Sequence, residues 1–156
     1  MDGGTVLVVD DEVTSRFMLR MLLEMTGYTV LEAEDGVVAL EMVAEHQPQA
    51  MILDVMMPRL DGISVCKALR ARKETAVLPI IVLSGGNYKE ECLAAGANTY
   101  MQTPEHTTHA RGLVGADKVL NVVLPCCLTT DPTVGRAVGR ARDAVDRLRP
   151  RGVVPG

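Results

Sequence analysis

Val6-Leu7-Val8-Val9-Asp10-Asp11-Glu12 and Met51-Ile52-Leu53-Asp54 are the two stretches that decide the fold. Each is a short, unbroken apolar run that ends in carboxylates. Runs of this kind, rich in Val and Ile, are the signature of central strands in a parallel sheet covered on both faces. In open α/β sheets the working site lies beyond the carboxyl ends of the strands. Both runs therefore deliver their acids to one rim of one sheet, and that rim is expected to be an acidic pocket.

Working outward, strand and helix patterns alternate from Thr5 to Met101. Val13 to Met25 reads as a helix with Val13, Phe17, Met18, Met21, Leu22 and Met25 on its buried face, stopped by Gly27. Thr29 to Ala33 reads as a strand near an edge. Asp35-Gly36 opens a second helix that ends near Pro48, with Val37, Leu40, Met42 or Val43, and Ala44 turned inward. Asp61-Gly62 precedes a third helix through Val65, Ala68 and Leu69. Pro79 to Leu83 forms another buried strand ending at Ser84. A short helix from about Lys89 to Ala95 and a last strand, Thr99 to Gln102, follow. Alternating βα units of this spacing imply right-handed crossovers and a doubly wound parallel sheet of the α/β class.

The 156 residues allow one domain of ordinary size plus roughly fifty residues more. With 47% hydrophobic residues, no Trp and a single Phe, the core must be packed by Met, Leu, Val and Ile. No apolar stretch approaches the roughly 18–20 residues that a membrane span needs. The first strand begins almost at once, which leaves no room for a signal peptide. A soluble, cytoplasmic protein is expected. Cys66 and Cys92 fall within helical patterns and read as small core residues. The adjacent Cys126-Cys127 pair lacks the spacing of a zinc site.

Charge divides the chain. Residues 1–105 carry 8 basic and 16 acidic side chains, whereas residues 106–156 carry 8 basic and 4 acidic. The expected boundary is at 105, with a divergent C-terminal segment over 106–156. Within it, Asp131 as N-cap and Pro132 at the first helical position begin an arginine-rich amphipathic helix over 132–148. Its arginines read as a solvated face and not as a nucleic-acid surface, since neither interleaved aromatics nor a reading helix accompanies them.

The chemistry expected of the rim follows from the residue types. Asp54 directly follows a strand, and a carboxylate with a reference pKa near 4 needs no base to be a nucleophile. Phosphoryl transfer depends mainly on positioning and charge neutralisation, usually with Mg²⁺. Three carboxylates gathered within about 4–6 Å would repel by several kcal/mol at an effective dielectric of ~20. A hard divalent cation with oxygen ligands relieves that repulsion. Ser84, on the same rim, could hydrogen-bond a phosphoryl oxygen. Taken singly, Asp10-Asp11 could be an ordinary helix N-terminus and Ser84 a turn residue. Their coincidence at adjacent strand ends argues for a site.

Val8-Val9-Asp10-Asp11-Glu12, Asp54-Val55-Met56-Met57-Pro58 with Asp61-Gly62, Ser84-Gly85 and Gly96-Ala97-Asn98-Thr99-Tyr100 together resemble the receiver domain of two-component response regulators, over about Thr5 to Pro104. The resemblance implies a flavodoxin-like, five-stranded sheet in the order 2-1-3-4-5. It implies that Asp54 accepts a phosphoryl group from a histidine kinase or phosphotransfer protein, in a signalling module that is not an enzyme. It further implies Mg²⁺ held by Asp11 and Asp54 with Asp10 assisting and the Met56 backbone carbonyl, Ser84 as switch hydroxyl and Tyr100 as switch aromatic.

Two departures qualify the resemblance. Where the family ends its fifth strand in Lys-Pro, this chain has Thr103-Pro104, so one cation that would balance the phosphoryl group is missing. Weakened phosphorylation and damaged coupling to the output face are the expected results. The stretch from Ser84 to Gly96 is also about three residues short, costing the fourth helix nearly a turn, and Ala116–Leu124 and Asp131–Leu148 both compete for the place of a fifth helix. The leading expectation is a stand-alone phosphorylated receiver; the alternative is a pseudo-receiver that keeps the fold without switching. A phosphohydrolase is disfavoured because Met56, two residues past Asp54, offers no acid or base.

Overall fold

The computed structural model describes residues 4–25 and 27–102. Thr103, the boundary at 105, Cys126-Cys127 and the helix expected over 132–148 lie outside the described residues. The elements alternate: β1 (Thr5–Val9), α1 (Val13–Met25), β2 (Thr29–Ala33), α2 (Gly36–His46), β3 (Ala50–Leu53), α3 (Gly62–Ala71), β4 (Ile80–Ser84), α4 (Lys89–Ala94) and β5 (Thr99–Gln102). The five strands form one sheet in the order β2-β1-β3-β4-β5, and every pairing is parallel. This is the doubly wound, flavodoxin-like sheet expected, with Thr29–Ala33 at an edge.

The three central strands earn their positions by composition. β1 from Val6 onward, all of β3, and β4 at every residue but Leu83 are buried. Successive side chains point to opposite faces. Leu7, Val9, Met51, Leu53, Ile80 and Val82 join Ala39, Val43, Val65, Cys66, Leu69 and Cys92 in one apolar cluster beneath α2, α3 and α4. α1 packs along β1 and β2 through Leu19, Leu22 and Leu23. Pro79, at the foot of β4, cannot donate to a ladder, yet its carbonyl accepts from the Met51 N–H at 2.9 Å.

The helix starts are set by Asp-Gly pairs. Asp35 Oδ1 accepts from the Val38 N–H at 2.9 Å and Asp61 Oδ1 from the Ser64 N–H at 2.8 Å, each satisfying a donor that the first turn leaves open. Gly27, at φ +95°, ends α1 as expected, with its N–H on the Glu24 carbonyl.

Two helix faces differ from expectation. Val13, Phe17 and Met25 of α1 are exposed, at 69%, 59% and 48%. The true stripe is Leu19-Leu22-Leu23, shared with the predicted set only at Leu22, while Met18 and Met21 are half-buried. In α2 the buried positions are Gly36, Ala39 and Val43; of the expected set Val43 is buried, Leu40 and Met42 are partly buried against the core, Val37 is only half-buried and Ala44 is exposed. Small residues face inward there, because Gly36 lies so close to the Leu60 carbonyl and the Val65 side chain that no Cβ would fit. In α3, Val65 and Leu69 are buried as read, joined by Cys66 in place of the half-buried Ala68.

Arg70, near the end of α3, ties three segments together. Its Nε donates to the Gly96 carbonyl at 2.9 Å, Nη1 to the Thr75 carbonyl at 3.1 Å and Nη2 to Asn98 Oδ1 at 2.9 Å. Asn98 Oδ1 also accepts from the Ile80 N–H at 2.8 Å, so the clamp reaches the start of β4.

Candidate functional site

Parallel pairing puts the C-terminal ends of β1 and β3 side by side. Val9 is level with Leu53, and the Asp54 N–H donates to the Val9 carbonyl at 3.0 Å. The first residues past each strand are Asp10 and Asp54. Carboxylate oxygens of Asp10, Asp11 and Asp54 all lie within 4.8 Å of one another. The acidic cluster expected from the two decisive runs is therefore assembled, with Asp10 and Asp54 partly buried and Asp11 exposed.

The electrostatics of the trio follow from that crowding. Burial is the main cause that pushes the Asp10 carboxyl up from 3.8 to about 7, with the charges of Asp54, Asp11 and Glu12 adding to it. The Glu12 N–H, 2.9 Å from Asp10 Oδ1, works in the opposite direction. Asp54 Oδ1 accepts from the Val55 N–H at 2.8 Å, which fixes the side chain against its own loop. Three oxygen donors with excess negative charge between them could hold a hard divalent cation.

The loop after β3 is held from behind by α3. The Gly62 N–H donates to the Val55 carbonyl at 2.9 Å, and a Cβ on Gly62 would run into the Asp54 carbonyl oxygen. Glycine is required there for a close backbone approach, not for a turn. Farther along the same loop, Arg59 has a left-handed backbone, φ +67°, and its guanidinium is 3.5 Å from the buried Asp35 carboxylate. The ion pair joins this loop to the cap of α2.

Ser84, the last residue of β4, is buried, and its Oγ accepts from the Gly86 N–H at 3.2 Å. Tyr100 lies level with Val82 in β5. Its hydroxyl donates to the Gly86 carbonyl and accepts from the Tyr88 N–H at 3.0 Å. The two predicted switch residues thus converge on one glycine of the β4–α4 loop. Met56 is 64% exposed, and its Sδ accepts from the Tyr88 hydroxyl at 3.4 Å.

Two contributors were not read from the sequence. Arg16, on the second turn of α1, donates through Nη1 to the Asp10 main-chain carbonyl at 2.6 Å and pairs with Glu32 at 3.5 Å. A fixed cation does therefore stand beside the acidic rim, although it meets backbone and not a carboxylate of the trio. Tyr88 is the second, linking the loops after β3 and β4. Its place just before α4 carried no local pattern that could have singled it out. The thiols of Cys66 and Cys92 take no part: both are buried, as expected, and burial pushes the Cys66 thiol up to about 11 and raises Cys92 as well.

A sheet of this order with acids at the ends of β1 and β3 and a hydroxyl at the end of β4 defines a class. The sequence profile of the response regulator receiver domain matches residues 6–112, and the chain belongs to that family. Among individual relatives, response regulator MprA of Mycobacterium ulcerans (strain Agy99) is 49% identical over 102 residues, covering 64% of this chain and 43% of the relative. MprA of Mycobacterium leprae (strain TN) is 48% identical over 102 residues, 64% of this chain and 44% of that protein. The chain thus spans less than half the length of these curated relatives. Of solved structures, the response regulator domain of Thermotoga maritima CheB superposes with a TM-score of 0.70 at 27% identity, covering 82% of this chain and 98% of that one. Among the described residues no helix is long and apolar enough to cross a membrane.

Proposed function

We propose that this domain is a working phosphoacceptor: Asp54 takes a phosphoryl group from the phosphohistidine of a histidine kinase or phosphotransfer protein. The observation that carries the reading is the gathering of the Asp10, Asp11 and Asp54 carboxylates within 4.8 Å. In the reaction an Asp54 carboxylate oxygen forms a bond to phosphorus as the P–N bond breaks, and the imidazole leaves with the electron pair and takes up a proton. Asp10, Asp11 and Asp54, with the Met56 backbone carbonyl, are the groups that would hold Mg²⁺. When bound, Mg²⁺ supplies neutralisation of the charge that builds on the phosphoryl oxygens.

The remaining roles belong to this chain's own side chains. The Val55 N–H on Asp54 Oδ1 fixes the orientation of the carboxylate that would act as the nucleophile. Ser84, with its hydroxyl held at the Gly86 N–H, is the group that would turn toward a phosphoryl oxygen. Tyr100, bonded to the same glycine, would report that movement to the α4–β5 face. Thr103 supplies a hydroxyl where a cation is usual, which weakens the response without removing the acceptor. On this reading the domain works in the cytoplasm as a signalling module and passes its state to a downstream protein.

The test is incubation with Mg²⁺ and acetyl phosphate, followed by intact mass. One added phosphoryl group, absent from Asp54→Ala and absent without Mg²⁺, is expected. A folded protein that takes up none would overturn the reading in favour of a receiver fold kept only for interaction.

A further inference from the structure

We infer that Arg16 is a positioning residue for the divalent-cation site: by holding the Asp10 main-chain carbonyl it aims the Asp10 and Asp11 carboxylates at one shared cation. The inference deepens the phosphoacceptor reading, on whose Mg²⁺ site it rests, and adds a residue which that reading does not use. Arg16 Nη1 donates to the Asp10 carbonyl at 2.6 Å. The Asp10 N–H donates to the Ala33 carbonyl at 3.1 Å, and Asp10 Oδ1 accepts from the Glu12 N–H at 2.9 Å. Both peptide planes that flank Asp10 are therefore held, one by β2 and one by α1. A peptide is rigid about its C–N bond, so the plane that Arg16 holds also fixes where the Asp11 Cα stands. Asp11 is the exposed member of the trio, and the aim of its carboxylate begins at that atom.

The guanidinium is itself held. Its Nε is buried and lies 3.5 Å from Glu32 Oε1. The other oxygen of Glu32 accepts from Arg20 Nη1 at 2.9 Å, so the far end of the pair is anchored as well. Arg16 thus braces the edge strand β2 against the turn between β1 and α1. Mg²⁺ demands near-octahedral oxygen donors and tolerates little misplacement, whereas Ca²⁺ accepts a looser geometry. Groups that orient metal ligands from behind typically change affinity by about 10–100-fold when they are removed. Charge and position predict opposite signs here. A cation beside the carboxylates repels Mg²⁺, so an Arg16 that acted through its charge would be lost at a gain in affinity. An Arg16 that acts through position is lost at a cost.

The deciding experiment titrates the full chain, isotope-labelled, with Mg²⁺ alone and with Ca²⁺ alone, following the amide shifts of Asp10, Asp11 and Asp54 by NMR. Wild type, Arg16→Ala, Arg16→Lys and Arg70→Ala are compared, the last to measure what loss of stability away from the rim does by itself. Mg²⁺ affinity should fall roughly ten-fold in Arg16→Ala, and Ca²⁺ affinity by about three-fold or less. Arg16→Lys should fall with it, since one ammonium cannot bridge the Asp10 carbonyl and Glu32 as the planar fork does. Arg70→Ala should stay within about two-fold of wild type. Mg²⁺ affinity unchanged or tighter in Arg16→Ala, full rescue by lysine, an equal loss for both cations, or an equal loss in Arg70→Ala would each overturn the positioning role. Should Arg16→Ala not fold, the lysine variant decides by the same criteria. Acetyl phosphate added at saturating Mg²⁺ separates the two readings. Wild type that binds Mg²⁺ but gains no adduct would overturn the phosphoacceptor and leave Arg16 its role at the cation site; folded wild type that binds no Mg²⁺ would overturn both.

Discussion

The main-chain N–H of Asp54 donates to the carbonyl of Val9 at 3.0 Å, so the two acidic strand ends are coupled through the backbone one residue before the carboxylates begin. Separation of the charges by fraying of one strand is thereby opposed by the sheet itself. The repulsion stays in place and adds to burial, the larger cause, in the titration of Asp10.

That titration has a sign that can be measured. The folded protein keeps the Asp10 proton up to about pH 7, whereas the unfolded chain releases it near 3.8. The unfolded state therefore binds fewer protons between those values, and stability contributed by this site is greatest below pH 4 and falls as pH rises toward 7. Asp10→Asn should remove the slope and stabilise the metal-free protein at pH 8 by on the order of 2 kcal/mol. Urea unfolding at pH 5 and pH 8 in EDTA checks it. Equal midpoints for wild type and variant at pH 8 would contradict the prediction.

Gly62→Ala should be costly although alanine is the better helix former. The added methyl meets the Asp54 carbonyl oxygen, a backbone atom that cannot swing aside. A loss of about 2–3 kcal/mol is expected from the overpacking, with weaker Mg²⁺ binding as the loop is displaced. Thermal unfolding and Mg²⁺ titration together would show it; a variant as stable as wild type would not fit the structure.

Arg70→Lys should be nearly as damaging as Arg70→Ala. One ammonium cannot reach Gly96, Thr75 and Asn98 at once, which the planar guanidinium does. A loss of about 2–3 kcal/mol in urea is expected for either, with phosphorylation of Asp54 still detectable. Full rescue by lysine would mean that charge, not the three-way geometry, is what matters.

Thr103→Lys restores the cation that the resemblance to receivers leads one to expect at the end of the fifth strand. A higher yield of the Asp54 adduct and a larger change in amide exchange across the β4–α4 loop on phosphorylation are the expected outcomes. If neither increases, Thr103 is not what limits the response.

What could be read from the chain beforehand divides along physical lines. β1, β3 and β4 were legible because a strand covered on both faces has no use for polar residues, and its run of Val, Ile and Leu can be read without partners. Asp10, Asp11 and Asp54 were legible because each follows such a run immediately. The buried face of α1 was not. Phe17 draws any hydrophobic pattern toward itself, yet it lies on the early part of the helix and stays 59% exposed, while Leu19, Leu22 and Leu23 make the contact. Ala39 in α2 escapes a hydrophobic pattern for a related reason: close packing rewards small side chains, which carry little weight in such a pattern. Arg16 on the Asp10 carbonyl and Tyr88 on Met56 depend on where the backbone happens to bring distant groups, and no periodicity encodes that.

Gly62 carries a consequence for how a signal could leave the site. Its N–H is bonded to the Val55 carbonyl and its Cα sits against the Asp54 carbonyl, so the loop from 54 to 62 is cinched at its neck. A cinched loop has no slack with which to absorb a new group growing on Asp54. The room must come from the opposite bank, where Ser84, Gly86, Tyr88 and Tyr100 share one hydrogen-bonded seam. If Asp54 is the acceptor we propose, one wall of the cleft is an anvil and the other is the wall left to yield, and a missing methyl group decides which is which.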